Sequence, residues 1–250
     1  MANILSFDLA IFLGGTLAAA FVTGFAGFAF GMVAAGIWLY ALTPAQASAL
    51  IAAYALLVQG YAVWKLRHSI NLHRLAPFIA GSAFGIPVGI AVLRWFSSLH
   101  LRSGVGVLLI AFSLYNLARP GLPEMKAVSR GADAAVGFLN GVLGGATGLG
   151  GILPTVWTGL RGWPRDEQRA VFQPTAVATF LMTIAAFGGV GIITLDTARL
   201  FVIGLPALVI GSWLGWMLYG KLDEGAFRKV VLVLLLVSGV SLAASGRWQA

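Results

Sequence analysis

The sequence has no cysteine, only 8 acidic residues in 250, and little charge of any kind: 10% of residues are charged, and 59% are apolar. Without cysteine there is no disulfide framework and no thiolate metal site. A soluble domain carries about a quarter charged residues, so the shortage of charge argues against a soluble fold. The charges present are also segregated. None occurs in Leu9–Trp64, Leu75–Leu93, Ser103–Ala118, Ala134–Leu160, Ala170–Leu195, Leu200–Gly220 or Val230–Gly246. Crossing ~30 Å of hydrocarbon takes about 20 helical residues, and the mean hydropathy is +0.92. The chain therefore reads as an all-α integral membrane protein whose first partner is the lipid bilayer.

Further absences narrow the function. No acidic residue lies deep in an apolar run, so an intramembrane metal site or carboxylate proton relay lacks its usual parts. His68, His73 and His100 lie in or beside loops, away from any nucleophile on an apolar face. An intramembrane enzyme needs a nucleophile–base pair or metal ligands, so neither an enzyme nor a cofactor or metal is expected. The net charge of +8 does not imply a nucleic-acid partner, because the basic residues sit in short loops where the positive-inside rule places them. The N-terminus lacks a basic n-region, so the first apolar run is expected to remain as structure.

Eight hydrophobic segments are predicted: 7–42, 44–64, 75–96, 100–117, 132–160, 165–193, 197–220 and 226–245. Pro44 and Pro164 mark helix starts. Residues 119–130 form a basic linker between a first membrane repeat, 1–118, and a second, 131–250. The halves match in order: Thr23–Gly31 with Asn140–Gly148, Pro44 with Pro164, Gly81–Gly85 with Gly211–Gly215. Leu101-Arg102 and Val107–Ile110 likewise match Phe227-Arg228 and Val233–Leu236. The shared order points to two homologous halves.

Loop charges test the topology. If all eight segments cross once, the 16 basic residues divide evenly and give no orientation. If segments 1 and 5 each enter and leave by the same face, only Arg94, Arg102, Arg199 and Arg247 fall on one side. The other twelve share the opposite face, a clear positive-inside bias. The 36 residues Phe7–Leu42 would be ~54 Å long as one helix, too long for one untilted pass. The expected fold is thus a pair of inverted repeats, each with a broken, re-entrant Gly-rich hairpin plus three transmembrane helices. Trp38, Trp64, Trp95, Trp157, Trp163 and Trp248 are expected to form an interfacial belt.

The hairpins are the candidate binding site. Irregular backbone at membrane depth is tolerated where protein or a water-filled cavity satisfies it, and half-helix N-termini favour anions. The backbone candidates are Gly24, Gly27, Gly141, Gly144, Gly145 and Gly148. The side-chain candidates are Thr23, Asn140, Thr147, Gln173 and Thr175, with Gln46 and Gln59 evenly balanced between lining a cavity and bonding a neighbouring helix. Arg169 fits a cavity mouth or an ordinary snorkelling position equally well. The same glycines also suit simple helix packing, which is the favoured reading for Gly81, Gly85, Gly89, Gly211 and Gly215. Neutral donors with helix N-termini suit a small anionic substrate.

The stretch Gly137–Pro154 and the following Gly162–Ala170 resemble the sulfite exporter family of the TauE/SafE type. The first half resembles it through Val22–Gly31, with Ala29 where a glycine is common. The resemblance covers about residues 10–245. It implies a multi-pass carrier of sulfite or organosulfur anions in the bacterial inner membrane, assigned to export; with the two hairpins, the expected function is export of sulfite or an organosulfonate by alternating access. An anion channel or a permease for a different small anion is the alternative; saturable, counter-transportable flux separates a carrier from a channel.

Overall fold

The computed structural model describes residues 2–26, 29–66, 70–118, 129–218 and 223–245. Ten helices run through them: α1 (Ala2–Ala26), α2 (Phe30–Trp38), α3 (Pro44–Leu66), α4 (Leu72–Trp95), α5 (Ser98–Ala118), α6 (Arg130–Thr147), α7 (Ile152–Leu160), α8 (Arg165–Gly189), α9 (Leu195–Leu218) and α10 (Glu224–Ser245). No strand occurs among the described residues. Among the described residues, six helical stretches are long and apolar enough to cross a membrane: Phe7–Phe25, Leu72–Trp95, Ser98–Ala118, Glu167–Gly189, Leu195–Leu218 and Gly225–Ala244.

The first and fifth apolar runs are each a long helix followed by a 9-residue one. In the first, α2 folds back beside α1: the Trp38 indole donates to the Phe12 carbonyl at 3.1 Å. This overturns the interfacial reading of Trp38, which is fully buried because the fold-back carries the end of α2 into the core. Trp64 and Trp95 are exposed, and Trp248 lies outside the described residues. The turn into α2 passes through Ala29 at φ 78°, a left-handed conformation that costs an L-residue about 1–2 kcal/mol.

α3 begins with a capping box. Gln46 Oε1 accepts from the Thr43 amide at 3.2 Å, while Thr43 Oγ1 accepts from the Gln46 amide at 3.3 Å. Pro44 occupies the first helical position, where its missing N–H costs nothing. α6 opens just after the basic linker, most of which (119–128) lies outside the described residues. Ser129 caps it by accepting from the Ala132 amide.

The helices form two compact units, each drawing on both halves of the sequence. One comprises Met1–Ala47, Phe96–Pro120 and Thr194–Ala250. There α1 packs on α9 and α5 on α10, and Phe25 stacks on Phe227 with ring centroids 4.1 Å apart. Arg228 donates to Asn116 Oδ1 at 2.7 Å, and Ser238 to the Gly36 carbonyl at 2.7 Å. The other comprises Ser48–Trp95 and Gly121–Ile193, with α4 on α6 and α8 beside both.

Glycines set the helix spacing in each unit, because lipid supplies no hydrophobic drive and close backbone approach must bring the helices together. A Cβ on Gly81 would strike the Ala134 carbonyl, one on Gly85 the Phe138 carbonyl, and one on Gly141 the Ser82 carbonyl. In the other unit, a Cβ on Gly211 would strike the Leu17 carbonyl, one on Gly215 the Phe21 carbonyl, and one on Gly24 the Ser212 carbonyl. The two sets share one register: the α6 residues follow their α1 counterparts by 117 positions, and the α9 residues follow those of α4 by 130.

Two predictions follow from this backbone geometry. Gly85→Ala and Gly141→Ala should each lower the thermal midpoint and the folded yield, since overpacking costs about 1–3 kcal/mol or more. Gly104→Ala, whose Cβ meets nothing within 4 Å, should be neutral or slightly stabilising. Ala29→Gly should raise the midpoint by relieving the left-handed strain, an effect readable by thermal unfolding in detergent.

Candidate functional site at the broken second hairpin

α6 ends in a left-handed Gly148 at φ 74°, whose amide bonds the Gly144 carbonyl at 2.8 Å. The chain then passes Gly150 and a left-handed Gly151 at φ 107° before α7 begins. Both positive-φ positions need glycine. There is also no room for side chains: a Cβ on Gly150 would lie 2.8 Å from Thr179 Cγ2, and one on Gly151 2.7 Å from the Ala176 methyl.

A closed polar network holds this break. Asn140 is fully buried. Its Oδ1 accepts from the Gly151 amide at 2.7 Å, and its Nδ2 donates to Thr179 Oγ1 at 3.1 Å and Ser82 Oγ at 3.5 Å. The Thr179 hydroxyl donates to the Thr175 carbonyl at 2.8 Å, and the Ser82 hydroxyl to the Gly137 carbonyl at 2.9 Å. Asn140 thus uses three of its four hydrogen-bonding positions to tie α4, α6 and α8 to the start of α7. At the far end of the hairpin, Asp133 accepts from Arg161 at 2.9 Å and from the Trp157 indole at 2.8 Å.

α7 presents its first turn beside this network. The amides of Ile152 and Leu153 have no carbonyl one turn earlier in the helix to bond, and Pro154 has no N–H at all. Both residues are half-buried. Gln173 lies one helical turn from Ala176, the residue against Gly151, and so shares that face of α8. Its Oε1 is buried with no hydrogen-bond partner. Pro174, inside α8, removes the amide that would bond the Ala170 carbonyl.

The remaining predicted residues are placed as follows. Thr175 is fully buried and its hydroxyl returns to the Val171 carbonyl at 2.8 Å. Thr147 donates to the Leu143 carbonyl and accepts from the Leu149 amide. Gly141 and Gly145 face α4, whereas Gly144 faces Thr179 and Thr183 of α8. Arg169 is exposed on α8, and Gln59 is half-buried on α3. Gln46 is engaged in the α3 cap. In the first hairpin, the Thr23 hydroxyl bonds the Ala19 carbonyl at 2.8 Å, and Gly24 sits in the α1–α9 contact. Gly27 lies outside the described residues.

Sequence reasoning did not single out Ser82 or Thr183 as site residues, whereas Thr179 counts among the neutral polar side chains and Gly151 among the hairpin glycines that it favours. Thr175, Thr179 and Thr183 recur at helical spacing and are all fully buried, a periodic polar stripe legible in the sequence. Ser82 carried no such signal, because only the α4–α6 contact brings it to Asn140. No cluster of potential metal ligands occurs among the described residues.

The arrangement is that of a multi-pass membrane protein in which a short helix begins beside a buried polar network. The family description "Sulfite exporter TauE/SafE" matches residues 11–242, and the chain belongs to that family. Membership implies a membrane transporter of sulfite or related anions. No curated protein and no solved structure matches the chain significantly.

Replacing Asn140 tests the network. Asn140→Ala leaves the Gly151 amide without its acceptor and removes the amide donor to the Thr179 and Ser82 hydroxyls, which keep their carbonyl partners, at a cost of about 1–3 kcal/mol. The expected outcome is a thermal midpoint several degrees lower and faster proteolysis between residues 147 and 152.

Proposed function

We propose that the protein is a secondary carrier for a small sulfur oxyanion, sulfite or an organosulfonate, working by alternating access in the bacterial inner membrane. The observation that carries this reading is the first turn of α7: backbone donors at the start of a short helix, set beside the neutral side chains of Asn140, Thr179 and Ser82. A helix N-terminus favours negative charge through its dipole and its unbonded amides, and transporters use broken helices in this way.

In this reading the Ile152 and Leu153 amides bind the anion's oxygens. Gln173 supplies its carboxamide, which both donates and accepts, so a singly protonated anion such as hydrogen sulfite satisfies its buried oxygen. Asn140 acts as a positioning residue, fixing Gly151 and hence the direction of the α7 amides. Thr147 and Thr175 shape the pocket through their backbone-bonded hydroxyls. The recurrence of one glycine register in α1–α9 and α4–α6 supports the reading as two inverted repeats, each with a re-entrant hairpin.

Thermal stabilisation of purified protein by sulfite, sulfate, thiosulfate, taurine and a small sulfonate tests the substrate class, because a ligand specific to the folded state raises its stability with occupancy. Selective response to sulfite or a sulfonate is expected, with saturable flux in liposomes. Gln173→Ala should insert normally and raise the half-saturating concentration about tenfold, the loss of one charge-assisted hydrogen bond. An unchanged value removes Gln173 from the site; silence toward every sulfur anion removes the substrate class.

A further inference from the structure

At the end of the second hairpin away from its break, a cavity of about 270 Å³ is lined by His73, Arg74, Arg130, Asp133, Arg161 and Trp163, among others. Its charges are unbalanced. Asp133 pairs with Arg161, and Glu167 with Arg74 at 2.7 Å, whereas Arg130 makes no ion pair among the described residues.

The position of these cations runs against helix electrostatics. Arg74 stands in the first turn of α4, which holds no acidic residue, and Arg130 is the first residue of α6, whose first turn also holds Asp133. A helix N-terminus is the positive end of the dipole, where cations are disfavoured. Arg74 thus meets the positive end of α4 with no acidic residue in that turn, and the acid in the first turn of α6, Asp133, is taken up by Arg161 rather than by Arg130.

The arginines are also held in place. The Arg74 and Arg161 guanidinium carbons lie 5.1 and 4.9 Å from the Trp163 ring centroid. Asp133, 7% exposed, fixes Arg161. Trp163, on the cavity wall, packs with Trp157 against an apolar cluster of Leu75, Phe78 and Val171. Ordinary positive-inside residues snorkel one by one into water; here three guanidinium groups converge on one concave space. Guanidinium forks match the oxygens of a phosphate group in geometry and charge.

We propose that this cavity is an anion-binding site for a phosphate-type oxyanion, in addition to the hairpin site. The same chemistry is offered by the phosphodiester of an anionic phospholipid, as basic pockets between membrane helices bind such headgroups, and by free inorganic phosphate.

Two measurements on the full-length protein separate the sources. One is thermal unfolding in neutral detergent with added inorganic phosphate. The other is retention of phosphatidylglycerol against phosphatidylcholine, followed by native mass spectrometry. Wild-type protein should bind at least one of these anions, and Arg130→Gln should weaken that binding about tenfold with its ligand-free midpoint unchanged. Selective retention of phosphatidylglycerol without a phosphate response assigns the site to lipid; a phosphate response assigns it to the free ion. If Arg130→Gln folds poorly, His73→Gln supplies the same readout from another exposed position on the cavity wall. Binding of both anions at wild-type strength in the variants, or no binding of either by wild-type protein, overturns the proposal. The readout does not depend on sulfite flux.

Discussion

Inside a bilayer every backbone N–H and C=O must find a partner within the protein, so interrupting a helix there is costly. This chain contains two such interruptions, and much of the structure follows from how each is contained. Around the second, Asn140 takes the Gly151 amide and is itself held by Thr179 and Ser82. That arrangement requires α4 and α8 to stand very close to α6. The glycines of α4 and α6 permit that approach, at positions where even a methyl group would meet a neighbouring carbonyl.

The first interruption is contained differently. Aromatic side chains pack there: Trp38 lies against Phe12 with ring centroids 5.2 Å apart, and Phe25 against Phe227. Thr23, which aligns with Asn140, is too short to reach across and bonds its own helix. Ser212, which aligns with Ser82, leaves its hydroxyl buried without a partner among the described residues. The two hairpins thus share a backbone register and differ in chemistry: the side-chain network that ties several helices together lies with the second.

Helix positions were largely legible in the sequence, because charge-free runs, prolines and the Thr43–Gln46 capping pattern act locally. The non-helical positions at Ala29 and at 148–151 were legible as glycine density. Partnership was less so. Gln46 looked as suited to a cavity as to a neighbouring helix, yet its bonding is confined to the first turn of α3. Trp38 looked interfacial because it falls near the end of an apolar run, and only the fold-back of α2 buries it. Asp133 and Arg161 are 28 positions apart and meet because α7 returns along α6. Ser82 contributes through a contact that no periodicity announces.

The pairing of α1 with α9 has a consequence for biosynthesis. α4 and α6 are neighbours along the chain, apart from one intervening helix, so α6 meets its partner soon after it is made. α1 must wait for a helix roughly 190 residues downstream, on the order of ten to forty seconds at ribosomal speeds of about 5–20 residues per second. Throughout that interval the small-residue face around Gly24 has no partner helix. The unit containing the N-terminus is therefore the last to close, and it closes only when nearly the whole polypeptide has entered the membrane.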